Sequence, residues 1–312
     1  MTTPDAIAQH QRRRKSAVNR SAVLALLGGA LAIGFAPMFI RWSEVGPVAT
    51  AFWRMALALP FFWTWYLFKE PRPKHAQPPF TWRDALLLMA PGVFFAGDQT
   101  LWFWSVKLTT AANATLLVNF APLFVTPVAW LWFREKFQRA FPIGAALALG
   151  GVWFLMGASR ALGGEHPTGD ALALGAAVFY AGYILAVKRL RDRFSVAAVM
   201  AWYTLSCMVL LLLIVRVTGE HVFGMSAQGW LVVLGLALVC QVCGQGLIAF
   251  ALAHLPASFS SVSLLVQPVA VALLAWPLLR EPLSDKQLIG GLLVLAGIYL
   301  ARRGSEVRLP AA

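Results

Sequence analysis

Shifted along itself by 146 positions, the chain reproduces its own pattern of uncommon residues. The stretch TTAANATLLVNFAPLFVTPVAWLWFRE, from Thr109 to Glu135, returns as LPASFSSVSLLVQPVAVALLAWPLLRE, from Leu255 to Glu281. Pro122 falls on Pro268, Ala129-Trp130 on Ala275-Trp276, and Arg134-Glu135 on Arg280-Glu281. The register extends upstream, where Gln99 meets Gln245, and downstream, where Ile143-Gly144 meets Ile289-Gly290 and Gly151 meets Gly297. Matches among Ala, Leu and Val carry little weight in apolar segments, but Pro, Trp, Gln and Arg-Glu at one offset mark an internal duplication. The fold must therefore be assembled from two copies of one unit.

With 59% hydrophobic and 12% charged residues among 312, and a mean hydropathy of +0.70, there is too little polar surface to cover a soluble globule. The apolar runs are long and do not alternate, which excludes barrel strands of about 10 residues and suits helices of about 20. Runs fall at 21–41, 47–68, 84–106, 109–133, 140–159, 169–188, 195–216, 227–253, 257–279 and 286–302. The expected class is an all-α membrane protein of ten transmembrane helices. Its divisions are a basic, disordered tail (1–19), a first five-helix repeat (20–162), a second (163–303) and a short tail (304–312). HQRRRKSAVNR ahead of the first run has the charge order of a signal peptide, but that run is too long for one and reads as an uncleaved span. The longest loop, 69–83, leaves no room for an inserted soluble domain.

With the N-terminus in the cytoplasm, nineteen Lys and Arg fall on the inner side, six outside, and Arg54 within a span. The positive-inside bias places both termini in the cytoplasm. Five spans is an odd number, so the second copy enters the membrane from the opposite side. Inverted repeats of this kind build transporters, because the pseudo-two-fold axis lets one central site open to either face. The net charge of +13 lies in short clusters between spans and not along one face, so membrane orientation explains it and nucleic-acid binding does not. Cys240 and Cys243 have the CxxC spacing, yet they lie with Cys207 inside apolar runs, and no histidine cluster accompanies them. No metal and no cofactor are expected. No GxxxxGK[ST] occurs, so gradients must supply the work, and the HExxH, GxSxG or paired-aspartate patterns of an intramembrane enzyme are missing.

Two five-helix halves, each with an apolar helix ending in Arg-Glu followed by a glycine-punctuated helix (Gly144, Gly150, Gly151; Gly290, Gly291, Gly297), resemble the drug/metabolite transporter superfamily in its ten-helix EamA-type branch. Arg54 in AFWRMAL fits that pattern, and the resemblance spans residues 20–303. It implies a multi-pass protein of a bacterial inner membrane, monomer or homodimer, that exports amino acids or related metabolites. One subgroup exports aromatic amino acids, and 13 Trp, 21 Phe and 5 Tyr lean toward it. A sugar-phosphate or nucleotide-sugar carrier of the same superfamily is the closer alternative, but it would carry several basic residues deep in its spans.

Polar side chains are costly facing lipid and so point to the bundle interior. Thr115, Asn119, Pro122 and Thr126 follow one helical face of span 4, and Ser260, Ser263 and Gln267 repeat it in span 9 beside Pro268. Gln241 and Gln245 lie at i, i+4 in span 8; span 3 adds Gln99 and Trp102, span 6 Tyr180 and Tyr183, and span 1 Met38 and Trp42. Each could equally make a helix–helix hydrogen bond, but together they describe a cavity for a small, mostly apolar solute. Pro122 and Pro268 are candidate hinges. Asp98 is the acid well inside a span; it reads as a protonatable coupling site, as the partner of a substrate ammonium, or as half of an ion pair with Arg54 or Lys107. The two Arg-Glu pairs read as helix-end anchors that pair locally.

Overall fold

The computed structural model describes residues 20–68, 81–108, 117–157, 167–279 and 285–305, and these are helical with no strand among them. The helices are α1 (Arg20–Trp42), α2 (Pro47–Phe68), α3 (Trp82–Leu108), α4 (Ala121–Trp132), α5 (Ala140–Gly157), α6 (Pro167–Arg191), α7 (Val196–Thr218) and α8 (Ala227–Leu252). They are followed by α9, in two pieces (Ala257–Ser263 and Val266–Leu279), and by α10 (Asp285–Ser305). Among the described residues, seven helices are long and apolar enough to cross a membrane: α1, α3, α6, α7, α8, α9 and α10. The 22-residue α2 has the length but also carries Arg54, Pro47, Pro60 and three Trp, while α4 and α5 are apolar and shorter. Local sequence sets several ends. Ser195 and Ser226 cap α7 and α8 by accepting from Ala198 N (3.0 Å) and Gly229 N (3.2 Å), and Gly219, at φ 71°, closes α7 in the left-handed region.

Three of the expected spans are interrupted, the first by a turn at Phe35 and two others at corresponding places. Asn119 and Phe120 form a turn before α4, and Leu264 and Leu265 a turn within α9. Each of these two breaks sits four residues or fewer ahead of a repeat-paired proline, Pro122 or Pro268, whose ring lacks an N–H and crowds the carbonyl four residues earlier. The first half of span 4, 109–116, lies outside the described residues, as do Arg280 and Glu281.

The halves interleave. α3 packs against α6 and α7, α2 against α7, and α5 against α10. Glycines permit the closest approaches. A Cβ on Gly182 would meet the Phe94 ring at 2.5 Å, and Gly97 receives Phe179 in the same antiparallel pair. Between α5 and α10 the backbones themselves touch: a Cβ on Gly151 would stand 2.8 Å from Gly290 O and 2.6 Å from Val294 N, and one on Gly297 would stand 2.6 Å from Gly144 O. Numbers rise along one helix as they fall along the other, so the pair is antiparallel. The 146-residue shift turns the Gly144–Gly297 contact into the Gly290–Gly151 contact, so α5 and α10 are exchanged by a two-fold axis running across them. Gly151→Leu is expected to force this contact apart and lower stability by about 1–3 kcal/mol, read as a lower melting temperature of the full-length protein in detergent.

Candidate functional site

Arg54, Phe95, Asp98, Tyr183, Tyr203, Gln241 and Gln245 are each 5% exposed or less, and they come from α2, α3, α6, α7 and α8. Arg54 is the organising charge. Its Nε donates to Gln241 Oε1 at 3.0 Å, and its Cζ lies 5.5 Å from the centre of the Phe95 ring. Phe95 and Gln241 are 146 residues apart, so the guanidinium is held between two positions that are counterparts in the duplication. Gln241 Nε2 in turn donates to the Tyr203 hydroxyl. Alongside, the Tyr183 hydroxyl donates to Gln245 Oε1 at 2.9 Å. Phe95, Tyr183, Tyr203 and Tyr180 form a continuous aromatic wall: Phe95–Tyr183 5.0 Å, Tyr183–Tyr203 5.4 Å, and Tyr180 stacked on Tyr183 at 6.0 Å. Both glutamines lie in a π-helical stretch of α8, Leu236–Gln245, a departure from regular winding that recurs at functional sites.

Asp98 and Arg54 are not paired. No ion pair within 4 Å joins them. Asp98 Oδ2 accepts from Gln99 Nε2 at 3.0 Å, while Asp98 Oδ1 and Arg54 Nη2 are buried without a hydrogen-bond partner. A buried polar atom left unpaired costs about 1–3 kcal/mol, and more when charged. Two opposite charges kept apart, each with an open atom, suit a small solute that carries both signs. Arg54 is the one buried cation among the described residues, and a polyanionic phosphate would call for several.

The structure brings Arg54, Asp98, Gln99, Tyr180, Tyr183, Gln241 and Gln245 into one cluster. Ser263 Oγ and Gln267 Nε2, flanking the break in α9, are buried and unpartnered. Met38 is fully buried beyond the turn at Phe35, whereas Trp42, 44% exposed, lies edge-on to Phe39. Trp102 is half-buried against Phe103 (5.0 Å), Asn119 is in the turn before α4, and Thr115 is outside the described residues. Sequence reasoning passed over Tyr203 and Phe95. The 146-residue shift carries a signal for Phe95, since it lands on Gln241; nothing comparable marks Tyr203 within its apolar run.

Carboxylates tie the two halves together around the cluster. Glu135 receives Ala257 N at 2.7 Å, Ser258 N at 3.3 Å and Ser258 Oγ at 2.6 Å, capping the start of α9 instead of pairing near its own helix end. At the start of α2, Glu220 Oε2 accepts from Ala49 N at 2.9 Å and the Trp53 indole donates to Val222 O at 2.7 Å, with Phe223 and Trp230 against the Trp53 ring. Glu44 accepts from Ser226 N at 2.7 Å and Ser226 Oγ at 2.5 Å. The Ser226 hydroxyl first, and its amide second, hold the Glu44 carboxyl below its ordinary value, so this clasp is complete above the ordinary carboxylate range and loosens as pH falls through the lowered one.

The sequence pattern of the EamA-like transporter family matches residues 20–157 and 167–303. A probable amino-acid metabolite efflux pump of Salmonella typhimurium is 30% identical over 236 residues, covering 71% of this chain and 78% of that one. A probable terminal-alkyne amino-acid exporter of Streptantibioticus cattleyicolor is 30% identical over 210 residues (66% and 68%). The threonine/homoserine exporter of Escherichia coli K12 is 27% identical over 231 residues (73% of each). A solved crystal structure superposes with a TM-score of 0.76 at 21% identity, covering 91% of this chain and 98% of that one, which shows a shared fold.

Proposed function

The chain belongs to the EamA-like transporter family, and from that premise we propose that it exports amino acids, those with aromatic or apolar side chains favoured, by alternating access through the cluster around Arg54. It is a multi-pass membrane transporter and not an enzyme. The observation that carries the reading is the pair of buried, unjoined charges. Arg54 Nη2 offers a donor to a carboxylate and Asp98 Oδ1 an acceptor to an ammonium, the two groups every zwitterionic amino acid carries. The aromatic wall of Phe95, Tyr180, Tyr183 and Tyr203 suits an apolar or aromatic side chain. Relatives named as amino-acid exporters support the substrate class.

In this reading ten helices form two inverted five-helix repeats in the bacterial inner membrane, with both termini cytoplasmic. The excess of basic residues on one side supports the orientation, and the two-fold relation of α5 and α10 supports the inversion, since an axis across upright helices lies in the membrane plane. Purified protein in liposomes, offered a panel of labelled L-amino acids and sugar phosphates, is expected to move L-phenylalanine and related amino acids and to leave sugar phosphates untouched. Transport of a sugar phosphate without any amino acid would overturn the assignment.

A further inference from the structure

The substrate carboxylate, granted the amino-acid reading on which this inference rests, has two oxygens to satisfy, and Arg54 shows it one open nitrogen. The second donor can be traced through Gln241. Its Oε1 accepts from Arg54 Nε and its Nε2 donates to the Tyr203 oxygen. The amide cannot be turned over, because a guanidinium has donors only and would then face another donor. Tyr203 is thereby fixed as an acceptor toward Gln241, and its own hydrogen must be given elsewhere. The neighbouring Tyr183 hydroxyl gives its hydrogen to Gln245 Oε1, so toward Tyr203 it presents an uncharged oxygen. A carboxylate is a much stronger acceptor than a phenol oxygen and would take the Tyr203 hydrogen in its place. Tyr203 is fully buried, with its ring 5.9 Å from Phe95, the ring on which the Arg54 guanidinium lies.

We propose that Tyr203 is a substrate-binding residue whose hydroxyl donates to the substrate carboxylate beside Arg54 Nη2, and that Gln241 is the positioning residue that aims both donors at it. The arrangement makes the site selective for molecules that carry a carboxylate. An amine of the same shape without the carboxylate gains nothing from Tyr203, so the two kinds of ligand separate this role from simple packing.

The test uses the full-length protein in liposomes, labelled L-phenylalanine as substrate and phenethylamine, its decarboxylated form, as competitor. Tyr203→Phe is expected to raise the half-saturation concentration for L-phenylalanine by about tenfold or more, with inhibition by phenethylamine unchanged. Equal weakening of both, or an unchanged L-phenylalanine response, overturns the proposal while leaving amino-acid transport standing. A wild-type protein that moves no amino acid on the panel defeats the parent reading itself. If Tyr203→Phe does not insert, Gln241→Glu serves, because its second oxygen accepts the Tyr203 hydrogen and withdraws it from the site. L-phenylalanine should then bind more weakly and phenethylamine no more weakly; an L-phenylalanine half-saturation equal to wild type rejects the proposal.

Discussion

Arg54→Gln is expected to abolish transport of zwitterionic amino acids while leaving the bundle folded. The substitution removes the one buried cation among the described residues, and with it the charge proposed to draw a carboxylate out of water. A hydrogen bond to a charged group contributes about 1.5–3 kcal/mol, which is roughly a ten- to hundredfold loss of affinity before the wider Coulomb attraction is counted. The glutamine can still meet Gln241, so the contact between α2 and α8 need not collapse. Arg54→Lys should fall between the two: it keeps the charge but loses the planar fork that engages Gln241 and a carboxylate at once. Uptake of labelled L-phenylalanine below saturation, with the melting temperature measured beside it, checks the prediction. Wild-type uptake in Arg54→Gln would take the guanidinium out of the site.

Asp98→Asn is expected to separate activity from stability in the opposite sense to an ordinary core substitution. Asp98 forms no ion pair within 4 Å with Arg54, so its neutralisation breaks no direct bond to it, and the amide oxygen of the introduced asparagine can still accept from Gln99. Removing a buried carboxyl that has no direct ion-pair partner should leave the melting temperature unchanged or raise it. Transport of L-phenylalanine should nevertheless fall about tenfold or more, because the substrate ammonium loses its acceptor. Phenylpropionate, which lacks the ammonium, should bind the variant no worse than wild type. Had the two residues formed an ion pair, Asp98→Asn would instead lower stability and Arg54→Gln would restore it; a melting temperature that falls in the single variant and recovers in the double would reinstate that pairing.

Much of the architecture is legible in the sequence because the duplication and the hydropathy act over long windows. Ten apolar runs and one offset are enough to imply a helical membrane bundle in two copies. The candidate cluster is legible where a polar side chain stands out against apolar neighbours: Gln241 with Gln245, Tyr180 with Tyr183, and Arg54 with Asp98. It is illegible where the same residue type serves lipid and interior alike. Phe95 looks like any membrane aromatic, and Tyr203 is distinguished only by the hydrogen-bond chain that reaches it through Gln241. Glu135 illustrates a different limit. Its position at a helix end suggests a local partner, but the amides it caps are those of Ala257 and Ser258, and only the folded chain brings them within reach.

The guanidinium held between Phe95 and Gln241 has an implication for direction. Shifting Arg54 by the duplication offset lands on Met200, and shifting Asp98 lands on Gly244. The backbone is built twice, but the charges are present once. If the halves were identical, the states open to either side of an inverted repeat would be equal in free energy, and the empty carrier would divide itself evenly between them. Under the proposed alternating access, the cation and the acid of the cluster, Arg54 and Asp98, both supplied by the first half, would unbalance that division, because reorganising the halves would change what surrounds them with no equivalent change at Met200 and Gly244. On that proposal the resting population would be tilted to one side before any substrate arrives, and the tilt would be encoded in two side chains.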